Sequence, residues 1–251
     1  RKILLRKNCK KILAWTEWGK KGILKEFPEI KDKIEVVYPA MPVQTFKKPE
    51  SDGKIRLLFV SRRFYFKGGL IAIEVMDRIT KKNKNVEGII VSEIPEEIKK
   101  KYSENAQIKI LPVMPQKKLF KEIYPKADIF LYPSPTDTFG FAITEAMAFG
   151  LPVIGVSGHS RKELIDEGKT GYVIGTGWKD KIDISILENF NSLENPIKSL
   201  EKKMSKLIKN KKLIEKMSKN SIDCIQKGKF SLKERTKKLN RIYSGAIKNG
   251  K

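Results

Sequence analysis

Residues Tyr132 to Val156 read YPSPTDTFGFAITEAMAFGLPVIGV, and the order of residue types in this stretch decides the fold. An apolar run enters a Pro-Ser-Pro turn, an acid stands at Asp137 and a glycine at Gly140. A helical segment holding Glu145 follows, and Gly150 and Pro152 close it before a second apolar run. Strand, turn, helix and strand in this order predict one βαβ unit of a parallel sheet. Gly140 lets backbone N–H groups approach a ligand at the helix start, where unpaired donors and the helix dipole favour anions. Asp137 before the helix and Glu145 inside it can accept from two different hydroxyl-bearing parts of one ligand. Such bonds to charged acceptors are worth about 1.5–3 kcal/mol each.

On either side the same alternation continues. Candidate strands are Ile34–Tyr38, Ile55–Val60, Val86–Ser92, Ile108–Leu111, Asp128–Tyr132, Pro152–Val156 and Gly171–Ile174. Helical spacing such as Leu70, Ile73, Met76 and Ile79 separates them. The run IFLYP at 129–133 is too apolar for a half-exposed strand, so the sheet should be covered on both faces. The expected class is therefore α/β, a Rossmann-like doubly wound parallel sheet. Residues 189–196 read as a linker, and Ile197–Gln226 and Leu232–Ile247 as Lys-rich amphipathic helices broken near Gly228.

A second chemical element is Phe59–Gly69, FVSRRFYFKGG: an apolar strand ends, Arg62, Arg63 and Lys67 follow, and Gly68 and Gly69 open a helix. Ligands of doubly wound sheets sit beyond the carboxyl ends of the strands. Arg62, with a bidentate fork, and Lys67, a point charge, are then placed to clamp a diphosphate. Arg63 and Phe64–Phe66 read as loop packing. His159, the single histidine, reads as a satisfied turn residue rather than a general base.

The chain has 251 residues and a net charge of +24. Residues 1–25 carry nine Lys/Arg and one acid, giving +8, and residues 198–251 carry eighteen and four, giving +14. The middle is nearly neutral. Only nine of the 53 cations are Arg, which argues against dedicated nucleic-acid binding and leaves solvated helix faces or an anionic membrane surface. Neither a spanning apolar run nor a secretion signal is visible. Cys9 and Cys224 make no metal or disulfide spacing, so a cytoplasmic protein, free or peripheral to a membrane, is expected. Arg1 in place of Met, and the strand-turn-helix reading of 10–24 with nothing earlier to pack on, suggest the later part of a longer chain.

The chain resembles the retaining GT-B glycosyltransferases of family 4. That family's acid, seven residues, then Glu-Ala-Met-Ala-x-Gly-x-Pro-Val-Ile stands here as Asp137 and Glu145–Ile154; its Val-Gly-Arg-x4-Lys-Gly stands as Val60-Ser61-Arg62 to Lys67-Gly68. YPKADIFLYPS at 124–134, ELIDEGKTGY at 163–172 and the interdomain-like segment 12–46 extend the likeness in order. The resemblance implies an enzyme, a hexosyltransferase taking a nucleotide-diphosphate sugar as donor. Arg62, Lys67 and Gly68 would hold the diphosphate, Glu145 the ribose, and Asp137 with the backbone of Phe139, Gly140 and Phe141 the sugar. Val113, at the end of Leu111–Val113, would lie beside the base, and Gly158, His159 and Ser160 near the phosphates. Arg62, Lys67 and Asp137 are the implied catalytic residues, no metal is expected, and no cofactor beyond the donor itself.

The implied division is 1–37 as a remnant of an acceptor lobe, 38–226 as the donor domain, and 227–251 as a helix crossing back. The acceptor lobe, which carries the family's catalytic histidine, would have to come from elsewhere in the same or another chain. Three departures stand out: Asp137 where Glu is commoner, Ser61 where Gly is usual, and Val91–Glu97 where a Gly-x-Gly turn is usual. They keep open a second reading, a non-catalytic nucleotide-sugar-binding module that needs a partner lobe.

Overall fold

The computed structural model describes residues 2–178 and 184–248. Helix α1 (Lys2–Leu5), β1 (Ile12–Ala14), α2 (Glu17–Glu26) and β2 (Ile34–Val36) come first. There follow β3 (Ile55–Arg63), α3 (Gly69–Lys82), β4 (Val86–Glu93), α4 (Glu96–Lys101) and β5 (Ile108–Leu111). Helix α5 (Gln116–Lys118) runs through π and 3-10 turns into β6 (Ile129–Tyr132), α6 (Phe141–Ala148), β7 (Val153–Val156), α7 (Arg161–Leu164) and β8 (Gly171–Ile174). The last three helices are α8 (Phe190–Ile208), α9 (Lys211–Gln226) and α10 (Leu232–Lys248).

Six strands form one sheet in the order β5-β4-β3-β6-β7-β8, every pairing parallel. The apolar runs alternate faces as a pleated strand must. Leu57 and Phe59 of β3 join Ile71, Met76 and Ile79 of α3 and Leu193, Leu200 and Met204 of α8 on one face. Leu58 of β3 joins Phe130 of β6 and Ile143, Ala146 and Met147 of α6 on the other. Both faces are covered, which is why Leu57–Val60 of β3 and Ile129–Tyr132 of β6 are unbroken apolar runs. The chain reverses direction of growth between β3 and β6, which pair at Leu57–Ile129 and Leu58–Phe130.

Three sequence expectations need correction. Ile34–Val36 is not in the main sheet; it pairs with β1 in a separate two-stranded parallel sheet, Ile12 against Ile34 and Ala14 against Val36. The segment 189–196 is not a linker: Asn189 caps α8 through Asn191 N, and Pro196 lies inside the helix. The loss of one backbone donor there is outweighed by the buried face Leu193, Ile197, Leu200 and Met204, and by Arg78 pairing with Glu194 across α3 and α8. The long helix expected at 197–226 breaks at Lys209–Asn210, where the Asn210 side chain accepts from Leu213 N at 3.0 Å and starts α9. Among the described residues no helix is long and apolar enough to cross a membrane.

Candidate functional site

The carboxyl ends of β3 and β6, the two strands at the reversal point, carry the two loops singled out by their residues. β3 runs further than its apolar stretch, to Arg63, because a bulge after Val60 re-establishes pairing of Arg63 with Glu93. Arg62 therefore sits on the strand end rather than in the loop. It is exposed, and its side chain makes no hydrogen bond or ion pair among the described residues. Beyond it a 3-10 turn, Tyr65–Lys67, closes on Gly68 at φ 74°. A β-carbon at Gly68 would stand 2.3 Å from the Pro133 carbonyl oxygen, so glycine is what lets the β3 loop touch the β6 loop.

Lys67 makes the junction. Its Nζ donates to Thr136 O at 2.9 Å and to Asp137 Oδ2 at 2.8 Å, and Thr136 Oγ1 donates back to Phe66 O at 3.2 Å. An ammonium has three N–H donors, so one stays available to a ligand. Asp137 also accepts from the Tyr132 hydroxyl at 2.5 Å and, through Oδ1, from Gly140 N at 3.1 Å. Burial raises the Asp137 carboxyl, but Lys67 and Tyr132 outweigh it and hold the group below the usual carboxylate range. Burial, aided by Asp137 and opposed by Arg161, pushes the Tyr132 hydroxyl up, so it stays a donor. A carboxylate offers about four lone-pair positions, so Asp137 retains one.

Behind this loop lies Arg161, which is fully buried at 0% exposure. Its guanidinium donates to Ser134 O through Nε at 3.3 Å and Nη2 at 2.9 Å, and to Asp137 O through Nη1. Burial pulls its pKa down while Tyr132 and Asp137 hold it up. The loop is further fixed by Ser160 Oγ on Thr138 O at 2.6 Å and by Gly158, whose β-carbon position lies 2.7 Å from Pro135 O.

Gly140, at φ 83°, caps α6, and the N–H groups of Phe141 and Ala142 have no acceptor among the described residues. Phe139 is buried while Phe141 is 45% exposed. One turn into the helix, Glu145 accepts from Gln116 Nε2 at 2.6 Å and from the Tyr124 hydroxyl at 3.0 Å. Two of its lone pairs remain open. Gln116 ties α6 to the segment leaving Val113. Val113 itself lines a cleft of about 780 Å³ with Glu93, Pro95, Tyr102 and Leu111, between the ends of β4 and β5 and α4.

The structure thus joins Lys67, Gly68, Asp137, Phe139, Gly140 and Phe141 directly and links Glu145 toward Val113 through Gln116. Arg62 stands on the strand leading into the junction without touching it. Arg161, Tyr132 and Gln116 were not singled out by sequence; an arginine two residues after His159 reads like any surface cation. Among the described residues no group of three His, Cys, Asp or Glu is placed to hold a metal ion.

The sequence model of the family described as Glycosyl transferases group 1 matches residues 41–194. A probable sucrose-phosphate synthase of Thermosipho melanesiensis is 32% identical over 184 residues, 66% of this chain and 43% of that protein. An uncharacterized 41.2 kDa protein in the cps region of Klebsiella pneumoniae is 31% identical over 160 residues, covering 57% of this chain and 42% of that protein. The chain therefore spans under half the length of these relatives. A glycosyltransferase from Rickettsia africae superposes with a TM-score of 0.73 at 20% identity, covering 96% of this chain and 64% of that one. Anabaena HepE, solved with UDP and glucose, does so with a TM-score of 0.71 at 15% identity, covering 94% and 63%. At these identities the likeness shows the fold, the Rossmann-like half of a GT-B architecture. With the family match covering the β3 loop, the Asp137 loop and Glu145 together, the chain belongs to the group 1 glycosyl transferases.

Proposed function

We propose that this chain is the donor-binding part of a glycosyltransferase that moves a hexosyl unit from a nucleotide-diphosphate sugar to an acceptor, with retention and without a metal ion. The observation that carries the reading is the Lys67–Asp137 junction at the strand reversal, where a cation and an acceptor face the open start of α6. The free Lys67 donor, the Arg62 fork and the Phe141 and Ala142 N–H groups would take the diphosphate. Asp137, with its remaining lone pair, would accept from a sugar hydroxyl, and Glu145 from the two ribose hydroxyls. The base would enter the cleft at Val113.

In this reading charge growing on the leaving diphosphate meets Lys67, Arg62 and the α6 dipole, the work a divalent ion does in other sites. The UDP held by the Anabaena relative supports a nucleotide as ligand. The acceptor would be held by an upstream lobe, since the chain covers 43% of its Thermosipho relative. Together with an acceptor lobe, in the same or a separate chain, the enzyme is expected to transfer sugar in the presence of chelator and to give a product of the donor's own anomeric configuration. Inverted product would overturn retention, and transfer only with added divalent ion would overturn metal independence.

A further inference from the structure

Glu163, outside the junction, binds the segment 12–38 through three hydrogen bonds. Glu163, in α7, accepts from Glu17 N through Oε2 at 2.8 Å and from Trp18 N through Oε1 at 2.9 Å. Its Oε2 also takes the Tyr38 hydroxyl at 3.0 Å, and its carbonyl takes Lys229 Nζ at 2.6 Å. The first N–H groups of a helix have no partner inside it. In α2 the third is met locally, Gly19 N on Thr16 Oγ1 at 2.9 Å, but the first two are met by a carboxylate 145 residues away. A negative charge there is also favoured by the helix dipole. The small sheet of β1 and β2, with α2, is thereby fastened to α7 at one side chain.

The aromatics beside that fastening touch the 139–141 segment proposed for the donor and the 158–160 loop, which bonds that segment's approach through Ser160 on Thr138 O. The Trp18 ring stacks on His159 at 4.3 Å and 15°. His159 holds φ 44°, an uncommon backbone for a residue with a side chain, next to Gly158. Trp15 stands edge-on to Phe139 at 6.4 Å and to Phe141 at 5.5 Å. One turn of chain, 15–18, therefore bears on both 139–141 and 158–160. The loop carrying His159 is held from below by Ser160 on Thr138 O and Arg161 on Ser134 O. From above it is held by Trp18. Burial together with the Glu163 charge pushes the Tyr38 hydroxyl up, which keeps it a donor to the latch.

We infer that Glu163 and Trp18 are positioning residues for the donor site: they hold the His159 loop in its left-handed turn against the Asp137–Phe141 loop, and the docking of α2 is coupled to nucleotide occupancy of that site. This rests on the proposed donor reading. Coupling of this kind is reciprocal, so a nucleotide that needs the loop must also tighten α2.

The test is amide hydrogen exchange at Glu17 and Trp18, with and without UDP, GDP or ADP, in the wild-type chain and in Glu163→Gln, Trp18→Ala and Trp18→Phe. In the wild type the nucleotide that binds is expected to slow exchange at these two amides about fivefold or more. Trp18→Ala should raise its Kd about fivefold, Trp18→Phe should restore the wild-type Kd by restoring the stack, and Glu163→Gln should abolish the slowing of exchange. A purely structural role would lower the melting temperature and leave the exchange response intact. Nucleotide binding to the wild type with exchange at Glu17 and Trp18 unchanged, or with Trp18→Ala binding as tightly, overturns the coupling and leaves the donor site standing. A wild-type chain that binds none of the three overturns the donor reading itself, and the coupling with it.

Discussion

Arg161→Ala is expected to lower the stability of this chain by about 3–5 kcal/mol, more than any single polar substitution elsewhere in the site. Arg161 is fully buried, and its guanidinium satisfies the carbonyls of Ser134 and Asp137 at once. Truncation removes those charge-assisted bonds, leaves two carbonyls without donors beneath the loop, and opens a void the size of the side chain. At this chain length each kcal/mol moves the midpoint by about 2–4 °C, so thermal unfolding should shift down by roughly 6–20 °C. Arg161→Lys should recover only part, because a single ammonium on a thinner stem does not fork to both carbonyls. A melting temperature within about 2 °C of wild type for Arg161→Ala would show that the loop is held by something else.

Gly68→Ala should be the most damaging one-carbon change at the contact between the β3 and β6 loops. The added methyl would meet the Pro133 carbonyl oxygen at 2.3 Å and its carbon at 2.9 Å, and the residue would have to keep φ at 74°. Holding a non-glycine residue there costs of order 1–3 kcal/mol before the clash is counted. The clash is with backbone, so relief requires the β3 and β6 loops to separate. The expected result is a loss of about 2–4 kcal/mol together with loss of nucleotide binding, as the Lys67–Asp137 pair is pulled apart. Gly175→Ala is the control: nothing lies within 4 Å of its β-carbon position, and its effect should stay within about 0.5 kcal/mol. Calorimetry on both variants reads the difference, and equal effects would contradict the argument from close approach.

Much of this architecture could be read from residue order because parallel strands buried on two faces carry near-continuous apolar runs. That is why the six strands of the main sheet emerged from runs such as IFLY and VIGV at close to their observed bounds. The exceptions have physical causes. Ile34 and Val36 are β-branched like the residues of the other strands, and pairing partner is not written into a three-residue strand, so its place beside β1 was invisible. Asn and Pro at 189–196 spell a break locally, but a buried face packed on α3 overrode them.

The site was legible in part. Glycines at φ 74° and 83° and the acids of the α6 loop announced themselves, because few residue types can do their work. What joins them could not be read. Lys67 and Asp137 are 70 residues apart, and Glu163 and the α2 amides about 145, so residue order could not show that these groups bond one another. Arg161 was not singled out for the same reason. Burial, which turns such a residue into a structural one, is a property of the assembled loops and not of its neighbours in sequence.

The claim at the centre of this account is that the β3–β6 junction and Glu145 form a nucleotide-sugar site. The direct measurement is isothermal titration of UDP, GDP and ADP, and of their sugars, into the chain in the presence of chelator, repeated on Glu145→Ala. The account predicts that nucleotides of one base bind at one site, and that Glu145→Ala weakens them by about 10- to 150-fold, the worth of 1.5–3 kcal/mol of lost ribose bonds. Binding that is indifferent to Glu145→Ala in a folded variant, or no binding by any of the three, would contradict it.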